Sequence, residues 1–97
     1  MNIIIKPSHL SDKKYDAVID GRKTIPFGQK NASDYTKHKN PERKNRYIDR
    51  HKKHENWNDP KTAGFYSRWI LWNKPSLTAS IKDVNDRFKN LHVSVRS

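Results

Sequence analysis

Cysteine is absent from the chain, which excludes a disulfide scaffold and any zinc site built on thiolates. Only 3 glycines occur, scattered singly, so no glycine-rich loop is available to cradle a phosphate. Acids are scarce as well: 10 Asp and Glu stand against 21 Lys and Arg, a formal net charge of +11. Apolar residues make up only 32% of the 97 positions, enough for one thin core, so a single small domain over 1–97 is expected. No apolar run approaches the roughly 20 residues of a membrane span. The apolar start, Met1 to Ile5, is too short for a signal peptide, and a soluble, intracellular chain is expected.

What the chain does have is positive charge, unevenly spread. Residues 36–56 hold eight Lys and Arg against three acids, the densest stretch in the molecule. Such density attracts phosphates and acidic protein surfaces. Asn40-Pro41-Glu42 reads as a helix start, with a capping side chain, a proline in the first turn and an acid near the positive helix end. The helix is expected to run from Pro41 to His54. At about 100° per residue, Arg43, Arg46, Arg50 and Lys53 fall within an arc of roughly 80°. Tyr47, Ile48 and His51 share another arc suited to a core, where Lys44 is out of place. With Lys37 and Lys39 just upstream, the four cations form a candidate polyanion-binding surface. The competing reading is an ordinary solvated helix face, which Glu42 and Asp49 are too few to balance.

On either side of this helix the signals are regular. Tyr15 to Ile19 and Arg22 to Phe27 flank Asp20-Gly21, the turn chemistry of a tight β-hairpin, and Pro26 assigns the second strand to a sheet edge. Ile3 to Ile5, ended by Pro7, reads as a short strand or a tail added to another sheet. Residues 1–12 and 90–97 are thus expected as extended tails or edge strands, with Leu91, Val93 and Val95 beside the hairpin. Gly28 to Lys39 reads as loop. Thr62 starts a second helix over Ala63–Trp72, whose Phe65, Trp69 and Trp72 fall at i, i+4 and i+7 with Tyr66 and Ile70 alongside, placing both tryptophans in the core. Ser76 caps a third, with Leu77, Ile81, Val84 and Phe88 on one stripe. The fold class is therefore α+β: an N-terminal β-hairpin followed by three short helices packed around a tryptophan-rich central one.

Candidates for chemistry are few. Trp57 lies outside a helix next to basic residues, which makes it a candidate for stacking on a base, against a simpler role as cap on the helix junction. His51 and His54 stand about one helical turn apart, close to His38, Asp49, Glu55 and Asp59, but no third metal ligand is specified. No Ser/His/Asp arrangement or Walker loop is present. No catalytic residue, metal, cofactor or small-molecule substrate is expected.

Two blocks carry a resemblance: Ser33 to Lys44 (SDYTKHKNPERK), continuing through Arg46-Tyr47-Ile48 and Arg50 to Lys53, and Asp59 to Pro75 (DPKTAGFYSRWILWNKP). Together they resemble a family of small basic proteins of unknown function encoded by large DNA viruses and phages, over roughly Lys6 to Phe88. The resemblance brings no activity or catalytic residue. It implies a viral protein, located in the virion and in the cytoplasm of the infected cell, with nucleic acid, viral capsid proteins or both as partners. The expectation is a non-enzymatic minor structural protein of a particle, meeting genome or an acidic capsid surface through its basic helix. The alternatives are a free nucleic-acid-binding accessory protein and, last, a metal-dependent nuclease.

Overall fold

A computed structural model describes residues 1–96. Strands β1 (Asn2–Pro7), β2 (Lys13–Ile19) and β3 (Lys23–Gln29) are followed by helices α1 (Tyr35–His38), α2 (Pro41–His51) and α3 (Ala63–Tyr66). The last runs directly into a π-helical turn, Ser67–Leu71, and α4 (Leu77–Arg87) and β4 (His92–Val95) complete the chain. The fold is α+β, as the sequence patterns imply.

The hairpin forms where Asp20 and Gly21 permit it: their φ angles are +52° and +67°, and the Arg22 amide donates to the Ile19 carbonyl across them at 2.9 Å. Asp20 also accepts from the Asn2 amide at 2.8 Å, tying the turn to β1. The strand order is β3-β2-β1-β4, with β1 antiparallel to β2 and parallel to β4. Pro26 lies on an edge strand, where its missing amide costs no ladder bond.

Two expectations are corrected here. Residues 2–7 are neither a tail nor an edge: β1 is an interior strand, because Ile3 and Ile5 must be buried and both its sides are paired. The terminal strand lies beside β1 and not beside the hairpin, whose β2 is paired on both sides while the outer side of β3 has no neighbouring strand among the described residues. The free side of β4 is partly closed by Asn85, whose carboxamide donates to the Val93 carbonyl at 2.9 Å and accepts from its amide at 2.8 Å. A side chain thus takes the place of a neighbouring strand.

The period-two alternation of the strands sends Ile3, Ile5, Ala17, Ile19, Ile25, Phe27 and Val93 to one face of the sheet, where Phe65, Tyr66, Trp69, Ile70, Leu71, Val84 and Leu91 cover them. The Tyr66 hydroxyl finds no hydrogen-bond partner in this core, so the phenol contributes no more than a phenylalanine ring would. Beside the core two carboxylates are sealed from water. Asp34 pairs with Lys14 and caps α1 by accepting from the Thr36 amide at 2.9 Å. Asp16 accepts from Ser8 Oγ at 2.6 Å and from the His9 amide at 3.0 Å, with His9 Nδ1 at 2.5 Å.

The central helix differs from its expected form. Its second half is a π turn in which the Trp72 amide donates to Ser67, five residues back, at 3.0 Å. The wider turn takes in one extra residue, so three consecutive side chains, Trp69, Ile70 and Leu71, are buried. Trp72 is displaced from the core stripe, half-buried, toward α2. Helix α2 stops at His51, three residues short of the expected end, because the chain turns back to put Trp57 under the central helix, where its carbonyl accepts from Trp69 Nε1 at 2.8 Å. Gly28 to Lys39, expected as loop, contains the single-turn α1, started by the Asp34 cap and closed by Lys39 at φ +55°.

Candidate nucleic-acid interface

Helix α2 is held by one face, and the manner of holding determines which cations are free. The Asn40 side chain accepts from the amides of Glu42 and Arg43 at 2.9 and 3.4 Å, satisfying two of the orphan donors at the helix start. Tyr47 is buried, parallel to Trp72 with ring centres 4.4 Å apart and an interplanar angle of 2°. His51 stacks on Tyr47 at 4.3 Å, and His38 lies 5.3 Å from Trp72. Three rings, His51, Tyr47 and Trp72, thus form one stack between α2 and the end of the central helix, with His38 tilted by 54° against Trp72. Aromatic pairs of this kind add about 0.5–1.5 kcal/mol each beyond the area they bury.

Lys44, the residue that did not fit the core-facing arc, lies on the held side. Its ammonium donates to the Asn73 carbonyl at 2.7 Å and stands 5.1 Å over the Tyr35 ring. Burial, with the charges of Arg68 and Lys74, holds its pKa below the ordinary lysine value. Asn73 in turn donates to Asp83 at 2.7 Å, and Asp83 accepts from Arg87. Lys44 is therefore a fastener between α2 and the α4 side of the molecule.

The opposite face is left to solvent. Arg43, Arg46 and Arg50 are exposed, and among the described residues none is in an ion pair or hydrogen-bonded through its guanidinium. With Asp49 and the edge of Trp72 they line an open groove of about 500 Å³. Asp49 is itself engaged by Lys52 at 3.5 Å. Lys53 is exposed and unpaired but lies beyond the helix end, outside the groove. Lys37 is exposed on α1, also outside it. Lys39 is spent on structure: its ammonium donates to the carbonyls of Thr36 at 3.2 Å and Pro75 at 2.8 Å.

Trp57 is half-buried and tied down, its Nε1 donating to Glu55 at 2.7 Å and its ring lying 5.4 Å from the Arg68 guanidinium. It caps the helix junction. Trp72 is the tryptophan that reaches the basic groove, whereas helical spacing places it in the core; nothing in the sequence announces the π turn that moves it. The histidines do not converge. His38 Nδ1 accepts from the Asn40 amide at 3.0 Å, and burial together with the Arg43 charge lowers its pKa. His51 faces Glu55 at 3.3 Å, and His54 is exposed. Among the described residues no three His, Asp or Glu side chains gather into a group able to hold a metal ion. Nor is any helix among them long and apolar enough to cross a membrane.

A family of unknown function (DUF5754) matches residues 3–51, and the chain belongs to that family. The matched segment takes in β1 from Ile3 on, β2, β3, α1 and all of α2, so Arg43, Arg46 and Arg50 lie within it and the tryptophan-rich turn outside. No curated protein and no solved structure matches the chain.

Proposed function

We propose that this protein is a non-enzymatic polyanion-binding protein that seats the outer face of α2 on the phosphates of a nucleic acid. The observation that carries the reading is the grouping of three unpartnered guanidiniums in one groove on a helix whose other face is fastened by stacking and by Lys44. Rigid presentation matters because a bidentate Arg–phosphate contact costs less when little backbone freedom is left to lose. Contacts to phosphate are indifferent to base sequence, so binding should be general and sensitive to salt. Lys53 and Lys37, exposed at either end of the groove's helix, extend the positive surface.

The setting is a virus or phage particle, in which the protein is a minor structural component contacting the genome, or an acidic capsid surface by the same face. That part rests on the resemblance of its two sequence blocks to small basic viral proteins. The alternative setting is a freely diffusing accessory protein of the infected cell using the identical surface. Mass spectrometry of purified particles separates them: a fixed copy number per particle supports the first, and absence from particles supports the second.

The binding itself is tested by fluorescence anisotropy with a labelled oligonucleotide. The double variant Arg46→Glu, Arg50→Glu should weaken binding at least tenfold with the fold unchanged by circular dichroism. Equal affinity in the variant would overturn the reading.

A further inference from the structure

Beside the arginine groove lies a second hollow, a cleft of about 640 Å³ between the end of the hairpin and the helices. Arg50 and Trp72 line both the groove and the cleft, forming the wall they share. Two glycines in the lining of the cleft let their neighbours pack closely. A β-carbon on Gly28, whose φ is +76°, would come within 2.7 Å of Leu71 Cδ1. One on Gly64 would come within 3.0 Å of the Glu55 carboxyl carbon. Tyr47 is covered on both faces, by Trp72 and by His51, so what the cleft offers is the half-exposed His51 ring and the Glu55 carboxylate, held by Trp57 and His51 and retaining free lone pairs. An imidazole with open surface beside a fixed acceptor suits a flat heterocycle with N–H donors.

We infer that this cleft receives an unpaired nucleobase from a strand whose phosphates lie on Arg43, Arg46 and Arg50, making single-stranded nucleic acid the preferred ligand. The inference rests on the polyanion reading of the groove. A phosphate on Arg50 stands at the rim of the cleft, so the base of the same nucleotide can hang over the shared wall. A duplex cannot use this arrangement, since its bases are paired and stacked. Charge alone would favour the duplex, whose phosphates are denser and release more counterions per contact. A preference for single strands therefore reports on the bases.

The test uses the full chain with three labelled probes of equal length at one salt concentration: a single-stranded 12-mer, its duplex, and a 12-mer of abasic sites that keeps sugar and phosphate. The intact single strand should bind roughly tenfold more tightly than the abasic one, the scale of one base stacked on protein rings. The variant Ala63→Trp fills the cleft from an exposed position at the start of α3 and touches none of the three arginines. It should bring the intact strand down to the abasic affinity and leave duplex binding unchanged. Equal affinity for intact and abasic strands would overturn the cleft while leaving the groove reading in place. A preference for intact strands that survives Ala63→Trp would also overturn it, because the bases would then be read elsewhere. Loss of binding to all three probes would remove the groove reading and this inference with it.

Discussion

Two sets of arginines in this molecule share a side chain and little else. Arg68 and Arg87 place their guanidiniums 4.3 and 4.6 Å from the centre of the Trp69 ring, and each has an internal acceptor, the Trp72 carbonyl at 3.0 Å for the one and Asp83 at 3.2 Å for the other. Among the described residues the guanidiniums of Arg43, Arg46 and Arg50 have neither ring nor acceptor. The difference teaches that density of positive charge along the chain does not by itself mark a binding surface. What separates the two sets is whether the guanidinium has an internal partner. By that standard Lys44 and Lys39, in the middle of the basic run, belong with the structural cations, and Lys14, far from it in sequence, is the most structural of all.

The comparison is broken most forcefully at Lys14. Its side chain is 7% exposed and that of Asp34 3%, so Lys14→Met leaves a buried carboxylate without its counter-charge. A loss of about 3–5 kcal/mol is expected in urea unfolding, a large part of the stability of so small a domain. A change under 1 kcal/mol would mean that partnered cations are not structural here.

The partnered carboxylates come next. Burial alone would raise the pKa of Asp16, but bonds from Ser8 and His9 outweigh it and the net shift is downward. For Asp83 burial is likewise outweighed, by the bonds from Asn73 and Arg87. A folded-state pKa below the unfolded value gives stability that is complete above the ordinary value of 3.8 and lost as pH falls through the lowered one. The fold should therefore hold at pH 5 and weaken below about pH 4, followed by circular dichroism. Asp16→Asn should cost about 1–3 kcal/mol at neutral pH and flatten that acid limb.

Smaller still is Arg68→Leu, which removes a cation from two indoles and a donor from the Trp72 carbonyl. A loss of about 1–2 kcal/mol in thermal unfolding is expected. At the bottom of the scale, Arg43→Ala, Arg46→Ala and Arg50→Ala should each lie within about 0.5 kcal/mol of the parent, as surface changes without partners do. A stability loss equal to that of Arg68→Leu would place these arginines with the structural set.

Much of this architecture is legible in the sequence, and the parts that are not have specific causes. The Asp-Gly turn, the Asn40 and Ser76 caps and the period of α4 are local signals, and each leads to the element observed. The orientation of Arg43, Arg46 and Arg50 follows from helical geometry once Pro41 places the helix start. Trp72 is misplaced because its position depends on a π turn, a tertiary accommodation of Trp69, Ile70 and Leu71 against the sheet that no local propensity encodes. The Lys14–Asp34 pair is invisible because its partners are 20 residues apart and belong to elements, a strand and a one-turn helix, that meet only in the fold. Strand order fails for the same reason: β4 reads as a strand, but which of the two available edges, β1 or β3, it joins is settled only by contacts made in the fold.

The central claim, that unpartnered arginines on α2 are a surface for phosphate, is tested most directly by the salt dependence of binding. Affinity for a labelled oligonucleotide, measured from low to moderate salt, should fall along a straight line in logarithmic coordinates. The slope should become shallower by about 2–3 when Arg43, Arg46 and Arg50 are all replaced by alanine, since each phosphate contact contributes about 0.7–0.9. An unchanged slope in the triple variant would contradict the account, because the phosphates would then be meeting cations other than these.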